Sequence, residues 1–102
     1  MSHDHLQRAL PAMIEQAAGR IQSHIVKTPA VPARHLSRIT EGQVYLKMEN
    51  VQVTGSFKIR GAANKLLTLN KEIKDRGIVT ASSGNHGMAI ACMLNLLGLQ
   101  GI

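Results

Sequence analysis

Apolar residues recur at Ile14, Ala17, Ala18, Ile21 and Ile25, the i, i+3, i+4, i+7, i+11 spacing of one helical face. This predicts a helix over about residues 11–25, with Pro11 in its first turn, where a missing N–H is tolerated. Thr28-Pro29 and Val31-Pro32 end it, because a residue before proline is pushed out of the α region. A short polar helical turn follows at 33–40, and Glu41-Gly42 reads as a turn. Gln43 to Met48 alternates in part and carries β-formers, so it reads as a strand. After a loop from Glu49, Ser56 is placed to cap a helix that runs to about Leu69 and carries Phe57, Lys58 and Arg60 in its first two turns. Lys71 to Gly77 reads as a charged turn, and Ile78-Val79-Thr80-Ala81 as a buried strand. Met88 to Leu97 is apolar nearly all round, which predicts a buried helix stopped by Gly98. Leu99 to Ile102 opens another element. Helix, strand, helix, strand, helix implies an α/β layered fold with parallel pairing.

Composition narrows this picture. The 102 residues are 44% hydrophobic but only 2% aromatic, so the core is aliphatic and base stacking on aromatic platforms is excluded. The net charge of +6 is spread along the chain with no run of like charges, which argues against a nucleic-acid tail. Cys92 is the one cysteine, so no internal disulfide forms, as in a reducing compartment. The start MSHDHLQRAL has no apolar core of signal-peptide length, and the longest apolar run, MAIACML, is too short to span a membrane. A cytoplasmic location is expected. His3, Asp4 and His5 have metal-ligand chemistry, but an extreme terminus is a poor place for it, and no metal site is expected.

Two loops carry candidate chemistry. GIVTASSGNHGMAIA places a small-residue loop between a strand and a helix, an arrangement that offers backbone N–H groups to an anion. Gly84 and Gly87 let the backbone come close, and Ser82, Ser83, Asn85 and His86 add side-chain donors. TGSFKIRG sets Lys58 between Phe57 and Ile59. An amine held out of water there is driven toward its neutral form and becomes a nucleophile for carbonyl carbon. Arg60 is read as a helix-surface residue, Cys92 as packing, Met88 and Met93 as core fillers, and Tyr45 as structural.

KMENVQVTGSFKIRGAANKL together with TASSGNHGMAIA resembles the N-terminal part of the fold-type II pyridoxal-phosphate enzymes, specifically the serine/threonine dehydratases and serine racemases. TPAVPARHLSRITEGQVYLKMEN is similar to that family's lead-in to its first large-domain strand, and the resemblance covers about residues 8–102. It implies the α/β, three-layer parallel-sheet architecture shared with the tryptophan synthase beta subunit, present here in part. Residues 1–76 would belong to the large cofactor-binding domain, and 77–102 would open the small one. The implied cofactor is pyridoxal 5'-phosphate, with Lys58 as its Schiff-base lysine and proton-transfer base. Phe57 would pack on the cofactor ring and Asn85 would bond its phenolic oxygen. Ser82, Ser83, Asn85 and His86 would line the substrate-carboxylate pocket. In racemases of this group the serine matching Ser83 is also the acid/base on the opposite substrate face, whereas many biosynthetic threonine dehydratases carry alanine there.

The implied reaction is dehydration of L-threonine or serine to a 2-oxo acid and ammonia, in a full-length form that is homo-oligomeric, with no nucleic-acid or membrane partner. Serine racemisation is the alternative on the same fold, and a non-catalytic truncated product is another. Family members are about three times this length by the usual size of two-domain enzymes. The glycine-rich loop that grips the cofactor phosphate has no counterpart in these residues, so the chain is expected to be inactive alone.

Overall fold

The computed structural model describes residues 3–102, without the side chain of His3, so the His3-Asp4-His5 reading falls partly outside the described residues. The first helix, α1, spans His3–Ile21. It runs straight through Pro11 rather than starting there, giving up only the bond that the proline nitrogen cannot donate. It also stops short of Ile25, where the His24 N–H closes on the Ile21 carbonyl at 2.8 Å. Ile21 is buried, whereas Leu10, Met13 and Ile14 are exposed.

Two short strands follow, β1 (Ala30–Pro32) and β2 (Tyr45–Lys47). They pair antiparallel, with Ala30 opposite Lys47 and Pro32 opposite Tyr45. The strand at β2 is anticipated; β1 is not, because Pro29 and Pro32 signal only a helix stop. Proline is admissible in β1 because an edge strand needs no N–H from it. The ribbon is closed by the Ala33 N–H on the Val44 carbonyl at 2.8 Å and the Met48 N–H on the Pro29 carbonyl at 2.9 Å. Between the strands sits α2, Arg34–Thr40, the helical turn expected there.

The core is built by α3 (Lys58–Thr68) and α5 (Asn85–Leu97). Ile59, Ala62, Ala63 and Leu66 form the i, i+3, i+4, i+7 stripe of α3, and Ala89, Ile90 and Met93 face them from α5. Three of those seven side chains are alanines, which lets the two backbones approach closely. Ile21 joins the cluster from α1, and the Arg20 guanidinium donates to Asn64 Oδ1 on α3. Helix α5 is not buried all round: Met93 is a core filler as expected, but Met88 and Leu96 are exposed. Their side of α5 has no covering layer among the described residues.

The segment expected to be a charged turn is a short helix, α4, Lys71–Arg76. Asn70 caps it by accepting from the Ile73 N–H at 2.9 Å, and Lys71–Asp75 and Glu72–Arg76 pair at i, i+4. The predicted strand at 78–81 is reduced to one parallel bridge, Ile78 with Gly101. Ladder bonds continue from the Thr80 N–H to the Ile102 carbonyl at 2.9 Å, but Val79 is 82% exposed. A parallel ladder is stable when covered on both faces, and here α5 covers only one. Gly101 is required where the bridge meets α5, since a Cβ there would lie 2.5 Å from Leu94 Cδ1 and 2.8 Å from the Ile78 carbonyl oxygen.

Leu66 is fully buried between α1, α3 and α5, so Leu66→Ala is expected to cost about 2–4 kcal/mol in urea unfolding, whereas exposed Ile14→Ala should cost under about 0.5. Equal losses at the two positions would show that the helices do not share this core.

Candidate active site

The loop that leads to Lys58 is held by a carboxylate. After β2 the chain makes one 3-10 turn, Glu49–Val51, and Glu49 receives Arg60 from α3 in a two-point contact: Nε to Oε2 at 2.9 Å and Nη2 to Oε1 at 2.7 Å. Thr28 Oγ1 donates to the same Oε1 at 2.6 Å. Gln52 completes the clamp. Its Oε1 accepts from the Val26 N–H at 2.9 Å and the Val53 N–H at 3.1 Å, and its Nε2 donates to the Val26 carbonyl at 2.8 Å. Lys47 Nζ donates to the Thr28 carbonyl. Three stretches distant in sequence, 26–28, 47–53 and the first turn of α3, are thereby fixed to one another. Arg60 is not the free surface residue expected, because its side chain is only 32% exposed and Glu49 only 15%. The Arg60 guanidinium, helped by Thr28 and Gln52, holds the Glu49 carboxyl at about 2 against an ordinary 4.5, outweighing burial, which pushes the other way.

From the clamp the chain turns through Gly55, at φ +72°, a conformation that favours glycine. Ser56 does not cap α3 as predicted. Phe57 occupies the N-cap position without a side-chain bond, and Ser56 Oγ accepts only a long 3.4 Å bond from the Lys58 N–H. Lys58 opens α3, and its Nζ lies 5.3 Å from the Phe57 ring centroid, within cation–π range. Thr54 Oγ1 is buried with no partner among the described residues.

The second loop enters α5 at Gly84, whose N–H donates to Ser82 Oγ at 3.2 Å. The first N–H of α5 to find a carbonyl one turn back is Met88, on Gly84 at 3.1 Å, so the amides of Asn85, His86 and Gly87 stay outside the helix ladder. Gly87 sits hard against the loop, where a Cβ would lie 3.0 Å from the Ser82 carbonyl oxygen.

The packing of α3 on α5 brings the two loops together. A cavity of about 300 Å³ is lined by Phe57, Lys58, Arg60, Gly61, Ala62 and His86. Gly61, Ala62 and His86 also line a neighbouring groove of about 500 Å³ along Leu66, Ile78 and Ile90. Ser82, Ser83 and Asn85 are exposed on the neighbouring loop and lie outside this lining. Lys58 is exposed and Phe57 is 61% exposed, so the dry enclosure expected for the amine is not formed by these residues. The reason is positional: Lys58 is the first residue of its helix, and no described element crosses the cavity mouth.

Residues 21–102 match the family described as pyridoxal-phosphate dependent enzyme. The chain belongs to that family. This pyridoxal-phosphate enzyme chain is 48% identical over 88 residues to the catabolic L-threonine dehydratase of Staphylococcus aureus, covering 85% of this chain and 25% of that protein. It superposes on serine racemase from Dictyostelium discoideum with a TM-score of 0.80 and 39% identity, covering 86% of this chain and 29% of that one. Threonine deaminase isoform 2 from Solanum lycopersicum gives a TM-score of 0.78 at 31% identity, covering 99% of this chain and 27% of that one. The chain therefore has the fold of the N-terminal part of fold-type II enzymes and spans about a quarter of the length of the relatives it matches.

Pyridoxal phosphate is this family's cofactor. The residues present fit such a group: an amine, an aromatic ring and an imidazole border one cavity, and unpaired helix amides lie beside it. Thr28, Glu49 and Gln52 are missed by sequence reasoning. The only signal for them is polar residues standing among apolar ones on either side of a loop.

The Glu49 carboxyl titrates near 4.5 when unfolded and near 2 when folded, so its contribution is complete above pH 4.5 and disappears as pH falls toward 2. Glu49→Gln should therefore cost roughly 2–3 kcal/mol at pH 7 and little at pH 2. Urea titrations of both proteins across that range test this, and a pH-independent difference contradicts the clamp.

Proposed function

We propose that this chain supplies the lysine-bearing front of a pyridoxal-phosphate-dependent ammonia-lyase that converts L-threonine or L-serine to a 2-oxo acid and ammonia. The observation that carries the reading is the shared cavity of Lys58 and His86, which come from the starts of separate helices. The 48% identity to a threonine dehydratase supports the substrate class. In this reading residues 1–76 belong to the cofactor-binding domain and 77–102 open the second domain.

Lys58 Nζ would hold the cofactor through its aldehyde carbon and would later receive the substrate Cα proton. Phe57 would pack on the cofactor ring, and Asn85 would donate to its phenolic oxygen. The side chains of Ser82, Ser83 and His86, with the free amides at the start of α5, bind the substrate carboxylate. Holding the carboxylate turns the Cα–H bond toward Lys58, an orientation effect. When bound, the cofactor supplies the electron sink for the Cα electrons. Hydroxide then leaves the β-carbon, and hydrolysis of the released enamine gives the 2-oxo acid and ammonia. In this reading a glycine-rich phosphate cup, which the family resemblance implies, would complete the cofactor's site.

Racemisation of serine is the second reading. Ser83 favours it as a proton donor on the face opposite Lys58, as does the likeness to the Dictyostelium discoideum serine racemase.

The test replaces the matched 88 residues of the Staphylococcus aureus enzyme with those of this chain. The chimera is expected to release 2-oxo acid from L-threonine, and borohydride should fix the cofactor on Lys58. Lys58→Ala should lower the rate by at least about a thousandfold, the scale of losing a positioned acid–base group. Labelling of a different lysine overturns the assignment. Chiral analysis of serine separates the two readings: D-serine formation lost in Ser83→Ala, with dehydration retained, establishes the racemase.

A further inference from the structure

A second cavity, of about 350 Å³, opens on the other side of Arg60, between α1, the segment that follows it, β2 and α3. Ala18 and Gly19 give it a small-residue wall, Gln22 adds an amide, and Lys27, Lys47 and Arg60 supply three cations. No carboxylate lines it. Glu49, the acid nearest in the bonding network, is engaged by Nε and Nη2 of Arg60. Arg60 carries five N–H donors, so that contact leaves others free. Lys47 gives one N–H to the Thr28 carbonyl and keeps two more. Lys27 makes no hydrogen bond or ion pair among the described residues. Glu49 already offsets Arg60, so the uncompensated charge at this concavity is that of Lys27 and Lys47, and an anion placed among the three donors would balance it.

We infer that this cavity is an anion site for a phosphate group, bound by Lys27, Lys47 and the outward N–H groups of Arg60. The three donors come from three separate stretches of chain, the segment after α1, β2 and α3, which suits the divergent oxygens of a tetrahedral oxyanion better than the single plane of a carboxylate. The site is distinct from the Lys58 cavity but shares Arg60 with it, so an occupant there bears on the clamp that positions the Lys58 loop. The inference stands on this chain's own residues and does not depend on the proposed lyase activity.

Inorganic phosphate is the probe. It is titrated into the isotope-labelled chain at fixed ionic strength, with chloride as the balancing anion, and followed by amide shifts. Binding in the millimolar range is expected, with the largest shifts at residues 18–28, 47 and 60. Lys27→Ala should weaken it roughly tenfold, the scale of losing one charge-assisted bond, and Lys27→Glu should abolish it. Lys27→Arg should keep it. Lys27 is exposed and has no hydrogen bond or ion pair to lose, so these variants should fold as the parent does. Shifts confined to residues 82–87, equal affinity in Lys27→Ala, or malonate binding as tightly as phosphate would each overturn the inference.

Discussion

The Glu49–Arg60 pair is the constraint on which the rest of the arrangement depends. One carboxylate takes two bonds from α3, one from Thr28 and a longer one from Gln52. Partial burial would be unfavourable for either ion alone, since each loses hydration. Here the lone pairs of the carboxylate are filled from several directions, and its acidity rises accordingly. The consequence is geometric. Arg60 lies on the first turn of α3 and Glu49 on the turn leaving β2, so the intervening loop can take few paths. Lys58 is delivered to a fixed place by a clamp that does not touch it.

The second constraint is the alanine-rich seam of α3 on α5. Ala62 and Ala63 meet Ala89 where leucines would hold the helices apart. Close approach lets His86, on the first turn of α5, and Lys58, on the first turn of α3, border one cavity. The seam also explains why the chain folds around so few large side chains: Ile59, Leu66 and Met93 are the large residues buried completely.

Elements with a periodic apolar face or a strong terminator were legible in the sequence. The α1 face and the Gly98 stop of α5 are of this kind: α1 forms, although of its stripe only Ile21 is buried, and Gly98 does adopt a left-handed φ of 64°. Four features were not legible, each for a physical reason. Pro11 marks a helix start by local preference, but a proline inside a helix costs one bond that flanking turns outweigh. The strand at Ala30–Pro32 exists through its partner, and no local pattern encodes a ribbon edge. The segment 71–76 looks like a polar turn until its Asn70 cap and two i, i+4 pairs are counted together. The clamp residues Thr28, Glu49 and Gln52 are ordinary polar residues until the loop closes. The two candidate loops were readable because glycine, serine and asparagine beside a helix start make a dense local signal. The bordering of one cavity by Lys58 and His86 is a tertiary fact.

The exposure of Lys58 bears on how an amine in its proposed role would become reactive. An amine in water keeps its proton, and desolvation is what favours the neutral nucleophile. These residues place the nitrogen but do not dry it: the amine stands at a cavity mouth beside a half-open aromatic ring. Placement and desolvation are therefore separate contributions from separate parts of the fold. The clamp and the alanine seam provide the first. The second, in the proposed function, would come from whatever covers the mouth, a bound cofactor ring included. The exposed apolar side chains at that edge, Met88 on α5 and Val79 beside the parallel bridge, are a surface suited to such cover. In the proposed role, a lysine that is placed before it is enclosed meets its aldehyde partner only in a covered site.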